Sequence, residues 1–416
     1  MSGRTDRKLD AAWLREGALP RLLAILDRDG EEARVVGGAV RNALLGEPVH
    51  EHDVATTAVP EEVTRRVTAA GFKAVPTGIA HGTVTVVIGK EPFEVTTLRQ
   101  DVETYGRHAK VAFGRDWAGD AHRRDFTINA LSVAADGTIH DYTGGLADLA
   151  ARRVRFIGDA KTRIAEDYLR ILRFFRFHAA YGHGEPDRAG LHACIEARAG
   201  LDQLSRERVR MEMMKLVLAG RATPTLAVMS EVGLLLRVLG GVPYLAAFEM
   251  MTKIERAADC AADAARRLGA LGVAVPEDAE RLWQRLRLTN AEHARLAVMG
   301  AEWRRMTPAR GGQGARAQLY RLKPEHYVDC ALLAWARSRA SAQDDAWRDL
   351  ATLPRRWTAP SFPLKAADFI ARGVAKGPAL GAAMRTAEAA WIEQGFPDDA
   401  GAHARIVSEA MASPLK

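Results

Sequence analysis

The sequence predicts an α+β protein with a small mixed sheet confined to residues 1–150 and an all-helical remainder. Three observations predict it. Val- and Thr-rich stretches of strand length at 73–76, 83–88 and 92–98 lie close together near the start of the chain. Val35-Val36, then Gly37-Gly38, then the helix-forming run Ala39 to Leu45 reads as strand, tight turn and helix. Beyond Leu149 strand-like alternation stops and apolar residues recur at helical spacing.

Composition narrows the class. A chain of 416 residues is too long for one core and implies two or more domains. Its 48% hydrophobic content excludes wholesale disorder. The balance of 59 Lys and Arg against 52 Asp and Glu is modestly basic, which suits an RNA partner without requiring one. Cys194, Cys260 and Cys330 are far apart and form no metal-spaced pair, as expected in a reducing cytoplasm. The first ten residues, M-S-G-R-T-D-R-K-L-D, lack the apolar core of a signal peptide. No apolar run is long enough to span a bilayer, so a cytoplasmic protein without membrane attachment is expected.

Taken in order, Leu9 to Arg28 is expected to form an amphipathic helix on the outside of the first domain. The segment R-V-V-G-G-A-V-R-N-A-L-L-G follows from Arg34. Its Gly37-Gly38 turn opens a helix whose free N–H groups can hold phosphate, with Gly46 as C-cap. Arg41, in the first turn, adds a charge-assisted phosphate contact. Glu51 and Asp53 come next. Two apart on a strand they share a face, giving two hard carboxylates suited to Mg²⁺-dependent phosphoryl or nucleotidyl transfer. Either feature alone is commonplace, but strand, Gly-Gly, helix and paired acids in that order form a specific signal. Pro60 sits at a helix N1, with Glu61 and Glu62 complementing the dipole, and that helix ends at Gly71. Glu94 is either a third carboxylate near the metal or a solvent-facing residue of an edge strand. Arg99 to His122 reads as a long loop. R-R-D-F-T-I-N-A-L from Arg123 is expected to start a helix at Phe126 capped by Asp125, which sets Arg124 at the helix start.

G-G-x-V-R-x-x-L-L-G followed by the Glu51/Asp53 pair resembles the head of the class II tRNA nucleotidyltransferases, the CCA-adding enzymes and bacterial poly(A) polymerases. Asn42 and Glu51 stand where that family usually has Asp. R-R-D-F-T-I-N-A-L is similar to its second motif, and D-Y-T-G-G-L-A-D-L from Asp141 to a third, with Tyr142 in place of Pro. The resemblance implies a polymerase-β-like nucleotidyltransferase head in which Glu51 and Asp53 hold Mg²⁺. It also implies that Gly37, Gly38, Arg41 and Arg124 face the nucleotide triphosphate, and that the Arg99–His122 loop is flexible.

A second centre lies in E-D-Y-L-R-I-L-R-F-F-R, Glu166 to Arg176, read as part of a helix from Arg163 to Tyr181. By residues alone it is an ion-pair-laced helix with a Leu169/Leu172/Phe175 stripe. Its E-D-x-x-R resembles the nucleotide-selecting motif of the same family. A carboxylate at Asp167 accepts from the exocyclic amine of cytosine or adenine, and a guanidinium at Arg170 donates to the neighbouring ring acceptor. Uracil reverses both groups and leaves like facing like. Arg173 and Arg176 are left for the triphosphate or the pairing network. Further helices are expected at 188–199, 205–219 and 224–238, with Ser205 and Thr223 as N-caps and a linker at Gly311-Gly312-Gln313-Gly314. An acid-free run, Arg304 to Lys323, is either an RNA-backbone grip or an ordinary solvated face.

The expected organisation is a catalytic head over 1–150, a nucleotide-selecting, RNA-binding neck over 151–220, a body over 221–310 and a tRNA-binding tail over 311–416, all helical after the head. The expected activity is template-free addition of C, C and A to tRNA 3′ ends from CTP and ATP. Poly(A) polymerase, a partial CC- or A-adding enzyme and a non-catalytic RNA-binding relative are the alternatives. L-S-R-E-R from Leu204 looks more like the neck of the CCA-adding branch.

Overall fold

The computed structural model describes residues 3–78, 82–105 and 108–412. The chain divides into two compact units, Met1–Leu234 and Leu235–Lys416, a coarser division than the four segments expected.

The first unit begins with β1 (Arg4–Lys8), a 3-10 turn at Ala12–Leu14 and helix α1 (Leu19–Leu26), where one long helix was expected. Gly17, at φ +89°, breaks the helix, and Pro20 fits the first turn of the shorter one. Strand β2 (Ala33–Val36), helix α2 (Gly38–Leu45), β3 (Asp53–Thr56), α3 (Pro60–Ala69), β4 (Lys73–Gly78), β5 (Thr83–Ile88) and β6 (Glu91–Thr97) follow, close to their expected positions. Alternate burial along β5 shows why its Val and Thr residues form a strand with one face in the core. The loop expected after β6 instead contains a hairpin of β7 (Arg99–Tyr105) and β8 (His108–Phe113), registered from Arg99 against Phe113 to Tyr105 against His108. Helix α4 (Trp117–His122) follows, capped by Asp116. Strands β9 (Ser132–Ala134) and β10 (Thr138–His140) and helix α5 (Gly145–Ala150) complete this part.

Eight strands form one sheet in the order β1-β10-β9-β2-β3-β6-β5-β4, antiparallel except for the parallel pair β3 and β6. The sheet is mixed, as expected. Its polar edge strand β1 pairs with β10, and its Arg and Lys residues suit an edge exposed to water.

Four helices follow: α6 (Ala160–Glu166), α7 (Leu169–Tyr181), α8 (Arg188–Glu196) and α9 (Arg206–Leu218). The single helix expected over 163–181 is broken at Asp167, whose backbone is extended and whose carboxylate accepts from the Leu169 N–H at 3.1 Å. Asp caps a new helix better than it continues an old one. Ser205 occupies the N-cap position of α9. Helix α10 (Ala222–Glu231) already includes Thr223 and Pro224 in its first turn, and Gly233 at φ +74° separates it from α11 (Leu234–Leu239), so the single helix expected there is two.

The second unit is helical. Its helices include α12 (Leu245–Ala257), α13 (Ala264–Gly272), α14 (Pro276–Leu286), α15 (Asn290–Glu302) and α16 (Gly311–Arg337), and Met251 and Ile254 of α12, Met299 of α15 and Leu319, Tyr327 and Trp335 of α16 are buried in one core. The fully buried Asp329 accepts from Arg266 at 2.8 Å and Arg295 at 2.9 Å, which offsets the desolvation of its charge. The expected Gly311–Gly314 linker instead opens α16. The break falls at Lys323, φ +63°, because Pro324 disfavours helical backbone in the residue before it. Among the described residues no helix is long and apolar enough to cross a membrane. All three cysteines are free thiols.

One backbone contact closes the first part of the chain. A Cβ on Gly145 would stand 2.3 Å from the Thr127 carbonyl oxygen. Gly145→Ala is therefore expected to destabilise the first unit by about 1–3 kcal/mol. Gly220→Ala, with open space around it, should stay within about 0.5 kcal/mol. Urea titration of both variants checks this.

Candidate active site

The register of the sheet builds the site. Val36 pairs with Asp53, so the acid stands beside the Gly37 turn. Val54 pairs with Val95 in the parallel ladder, which sets Asp53 and Glu94 one position earlier on neighbouring strands and on one face. Glu51 lies just before β3, not on it as expected, and is exposed. Asp53 nevertheless senses both neighbours. Partial loss of hydration and then the Glu94 and Glu51 charges push its pKa above the usual carboxylate value, and Arg124 pulls the other way. Glu94 stands on an inner strand of the sheet, not on an edge strand, and its side chain is exposed. His52 turns away and packs its ring on Trp13, 5.0 Å between centroids.

Gly37 has φ +70° and ψ −120°, and its N–H donates to the Leu131 carbonyl at 3.0 Å. A Cβ there would come within 3.2 Å of an Arg124 guanidinium nitrogen, so glycine keeps this corner open. Gly38 is the first residue of α2, at the end of the helix where N–H groups lack intrahelical partners. Arg124 donates to the Asn129 carbonyl at 3.3 Å and pairs with Asp120 at 3.4 Å. The helix expected from Phe126 is only a 3-10 turn, Thr127–Asn129. Asp125 does not cap an α-helix. It accepts from the Phe126 N–H at 2.9 Å, the Asn129 side chain at 3.1 Å and Arg173 at 2.5 and 2.8 Å.

Arg41 is not offered to the solvent as a phosphate contact. It is buried, and its guanidinium donates to Asn129 at 2.5 Å, Asn42 at 2.9 Å and the Tyr181 hydroxyl at 2.8 Å, lying 3.9 Å from the Tyr181 ring centroid. Burial lowers its pKa. Asn42, where the family usually has Asp, is thus a direct partner of Arg41.

The second centre has different partners from those the sequence suggested. Asp167 and Arg170 are not paired with each other. Asp167 is forked by Arg208, at 2.6 and 3.3 Å, and Arg170 is held by Glu166 and donates to the Arg163 carbonyl at 2.6 Å. Asp167 and Arg208 line a cleft of about 560 Å³ together with Glu166, Tyr168, Gln203 and Leu204. Arg173 bridges Asp125 and the buried Glu212 of α9, and Arg176 donates to Glu212 at 2.5 Å. Arg41, Arg173 and Arg176 all lie over the Phe177 ring. Sequence reasoning missed Arg208, Glu212, Asn129 and Tyr181 as members of these networks. The available signal was L-S-R-E-R, which supplies Arg208, with Glu212 one helical turn later. Of the acid-free run in the second unit, Arg305 pairs with Glu302 at 2.8 Å and Arg304 donates to the Ala274 carbonyl at 2.8 Å.

Residues 33–155 match the family model described as "Poly A polymerase head domain", and residues 187–249 match "Probable RNA and SrmB- binding site of polymerase A". The CCA tRNA nucleotidyltransferase 1, mitochondrial, of Danio rerio is 34% identical over 377 residues, which cover 89% of this chain and 85% of the relative. This chain belongs to the CCA tRNA nucleotidyltransferase family. The CCA-adding enzyme of Leuconostoc citreum is 41% identical over 216 residues, 51% of this chain and 52% of its own length. The crystal structure of the Bacillus stearothermophilus CCA-adding enzyme in complex with CTP has 25% sequence identity. It superposes with a TM-score of 0.74, covering 96% of this chain and 98% of that one.

Family membership explains the sheet, the Gly-Gly turn and the helical remainder together. It leaves Arg41 with the role its geometry gives it, a buried strut between α2, the 127–129 turn and α7. Arg41→Ala is therefore expected to lower stability by about 2–3 kcal/mol, because Asn129 and the Tyr181 hydroxyl lose a charged donor. An unchanged urea midpoint would return Arg41 to a purely ligand-facing role.

Proposed function

We propose that this protein is a CCA-adding tRNA nucleotidyltransferase, which adds C, C and A to tRNA 3′ ends from CTP and ATP without a nucleic-acid template. The observation that carries the reading is the joint placement of Asp53 against the Gly37 turn, beside Glu94, Glu51 and Arg124. The chain's similarity to CCA-adding enzymes over most of its length supports the same assignment. In the reaction the RNA 3′-hydroxyl attacks the nucleotide α-phosphorus in line and pyrophosphate leaves.

The donor set suits Mg²⁺. Glu51 and Asp53 offer hard carboxylate oxygens whose mutual repulsion, with Glu94, is felt at Asp53, and Mg²⁺ is commonly held by one or two carboxylates plus substrate phosphates. Glu51 and Asp53 would hold it, with Glu94 close by. Bound there, Mg²⁺ supplies Lewis-acid polarisation of the phosphoryl oxygens and a more nucleophilic hydroxyl. The chain's own groups do the rest. The Gly37-Gly38 opening of α2 receives the phosphates, Arg124 adds positive charge beside it, and Arg41 braces the helix from behind. Asp167 and Arg170 read the base, and Arg173 and Arg176 fix α7, which carries Arg170. Residues 1–150 act as head, 151–220 as neck, 221–310 as body and 311–416 as RNA-binding tail. We assign the reaction to the cytoplasm, in keeping with three unpaired thiols.

Asp53→Ala should abolish nucleotide addition while tRNA binding by gel shift stays within about twofold, since one lost metal ligand removes chemistry and not the RNA-binding surface. In the same assay Glu51→Asp should keep the rate of C addition, and Glu51→Ala should lose tenfold or more, on the order of one lost charge-assisted contact. An unimpaired Glu51→Ala protein would leave Asp53 and Glu94 as the carboxylate pair. With tRNA lacking its 3′ end and both nucleotides present, the product on a sequencing gel should stop after C, C and A. A long ladder of A residues would make the protein a poly(A) polymerase.

A further inference from the structure

We propose that Arg208 is a specificity-positioning residue, whose guanidinium aims the Asp167 carboxylate at the incoming base and thereby sets the preference for C and A over U. The inference rests on the reading of Asp167 as the base-reading carboxylate and adds to it a residue on a different helix.

Asp167 sits where the chain leaves α6 with extended backbone, so helix packing does not fix its side chain. Two contacts fix it instead. Its Oδ1 accepts from the Leu169 N–H at 3.1 Å and from Arg208 at 3.3 Å. Its Oδ2 accepts from the second Arg208 nitrogen at 2.6 Å. A carboxylate oxygen has two lone-pair directions, so Oδ1 is committed on both sides and Oδ2 keeps one for a further donor. The Asp167 and Arg208 side chains are 33% and 31% exposed and line the same cleft of about 560 Å³. The remaining acceptor site is therefore reachable from that cleft.

The fork matters because the choice among bases is directional. The exocyclic amines of cytosine and adenine donate where uracil presents a carbonyl. A carboxylate locked in one plane meets uracil acceptor to acceptor, which is costly. A carboxylate free to rotate can turn away and tolerate uracil. Arg170 does not supply this restraint, since its Nη1 is engaged by Glu166 and the Arg163 carbonyl and not by the Asp167 carboxylate. Arg208 can supply it because α9 is anchored. Val209 and Met213 are buried, and Glu212, one turn from Arg208, is buried and tied to Arg176 at 2.5 Å. Lysine would keep the charge at 208 but not the two parallel donors.

The test uses the full chain and tRNA lacking its 3′ end, and measures kcat and KM for CTP, ATP and UTP separately. Wild type, Asp167→Ala, Arg208→Gln, Arg208→Lys and Glu212→Gln are compared, each after a melting curve confirms folding. Arg208→Gln should raise the UTP-to-CTP ratio of kcat/KM roughly tenfold or more, the loss of about one charged hydrogen bond, with KM for CTP rising more than kcat falls. Arg208→Lys should lie between it and wild type, and decides the matter alone if Arg208→Gln does not fold. Glu212→Gln, which loosens the α9 anchor of Arg208 without touching Asp167, should shift the UTP-to-CTP ratio in the same direction as Arg208→Gln but less far. The proposal is overturned if Arg208→Gln lowers all three nucleotides in equal proportion, or if Arg208→Lys has full wild-type selectivity, because charge and not the fork would then suffice. If Asp167→Ala leaves selectivity unchanged, the base-reading assignment fails and takes this inference with it. A wild-type protein that adds no nucleotide refutes the proposed function itself.

Discussion

The pairing of Asp125 with Arg173 holds the first unit's chemistry together. Burial works against the Asp125 charge, but the Arg173 guanidinium, then the Asn129 side chain and the Phe126 N–H, hold its pKa below the usual carboxylate value. An ionised carboxylate with most of its surface covered is tolerable only while those donors stay in place. The constraint therefore binds three elements at once. It fixes the turn that carries Arg124 beside Gly37, it orients α7 through Arg173, and through Glu212 it reaches α9. Helix α9 in turn carries Arg208 to Asp167. The Gly37 turn and the cleft lined by Asp167 thus belong to one connected set of charges.

Arg41 shows how tertiary context redirects a charge. A first-turn arginine behind a Gly-Gly turn suits a phosphate contact on local grounds. Here two amide side chains, a phenol hydroxyl and the faces of Tyr181 and Phe177 surround it. These groups offer several acceptors and aromatic faces, which a planar guanidinium can satisfy at once and a lysine cannot. The side chain consequently spans α2, the 127–129 turn and α7 as an internal strut.

The acidic cluster shows the opposite outcome, in which strand pairing sharpens a local signal. Asp53 begins β3, and the parallel ladder of β3 with β6 sets it level with Glu94. Two isolated acids on a sequence become neighbours because parallel pairing aligns like-facing residues on adjacent strands. Glu51 lies outside the strand and acts on Asp53 through its charge.

The sequence by itself determined the strand–Gly-Gly–helix unit, the strands β4 to β6, helix α3 from Pro60 to its Gly71 stop, and the helical remainder. Each rests on a local cause: period-two or helical spacing of apolar residues, a proline at N1, or a glycine where φ must be positive. It also carried the ordered motifs by which the family can be recognised. Only the tertiary structure decided the rest. The polar segment Arg4–Lys8 has no apolar alternation and is a strand only because β10 offers it an edge. Residues 99–105 and 108–113 are strands through their pairing with each other. The inward turn of Arg41 and the fork from Arg208 depend on side chains that meet across 41 to 140 residues of chain. Long flexible guanidinium groups have no periodic signature. Their partners are chosen by which carboxylates, amides and rings the folded backbone brings within reach, and that selection exists only after the sheet and helices have packed.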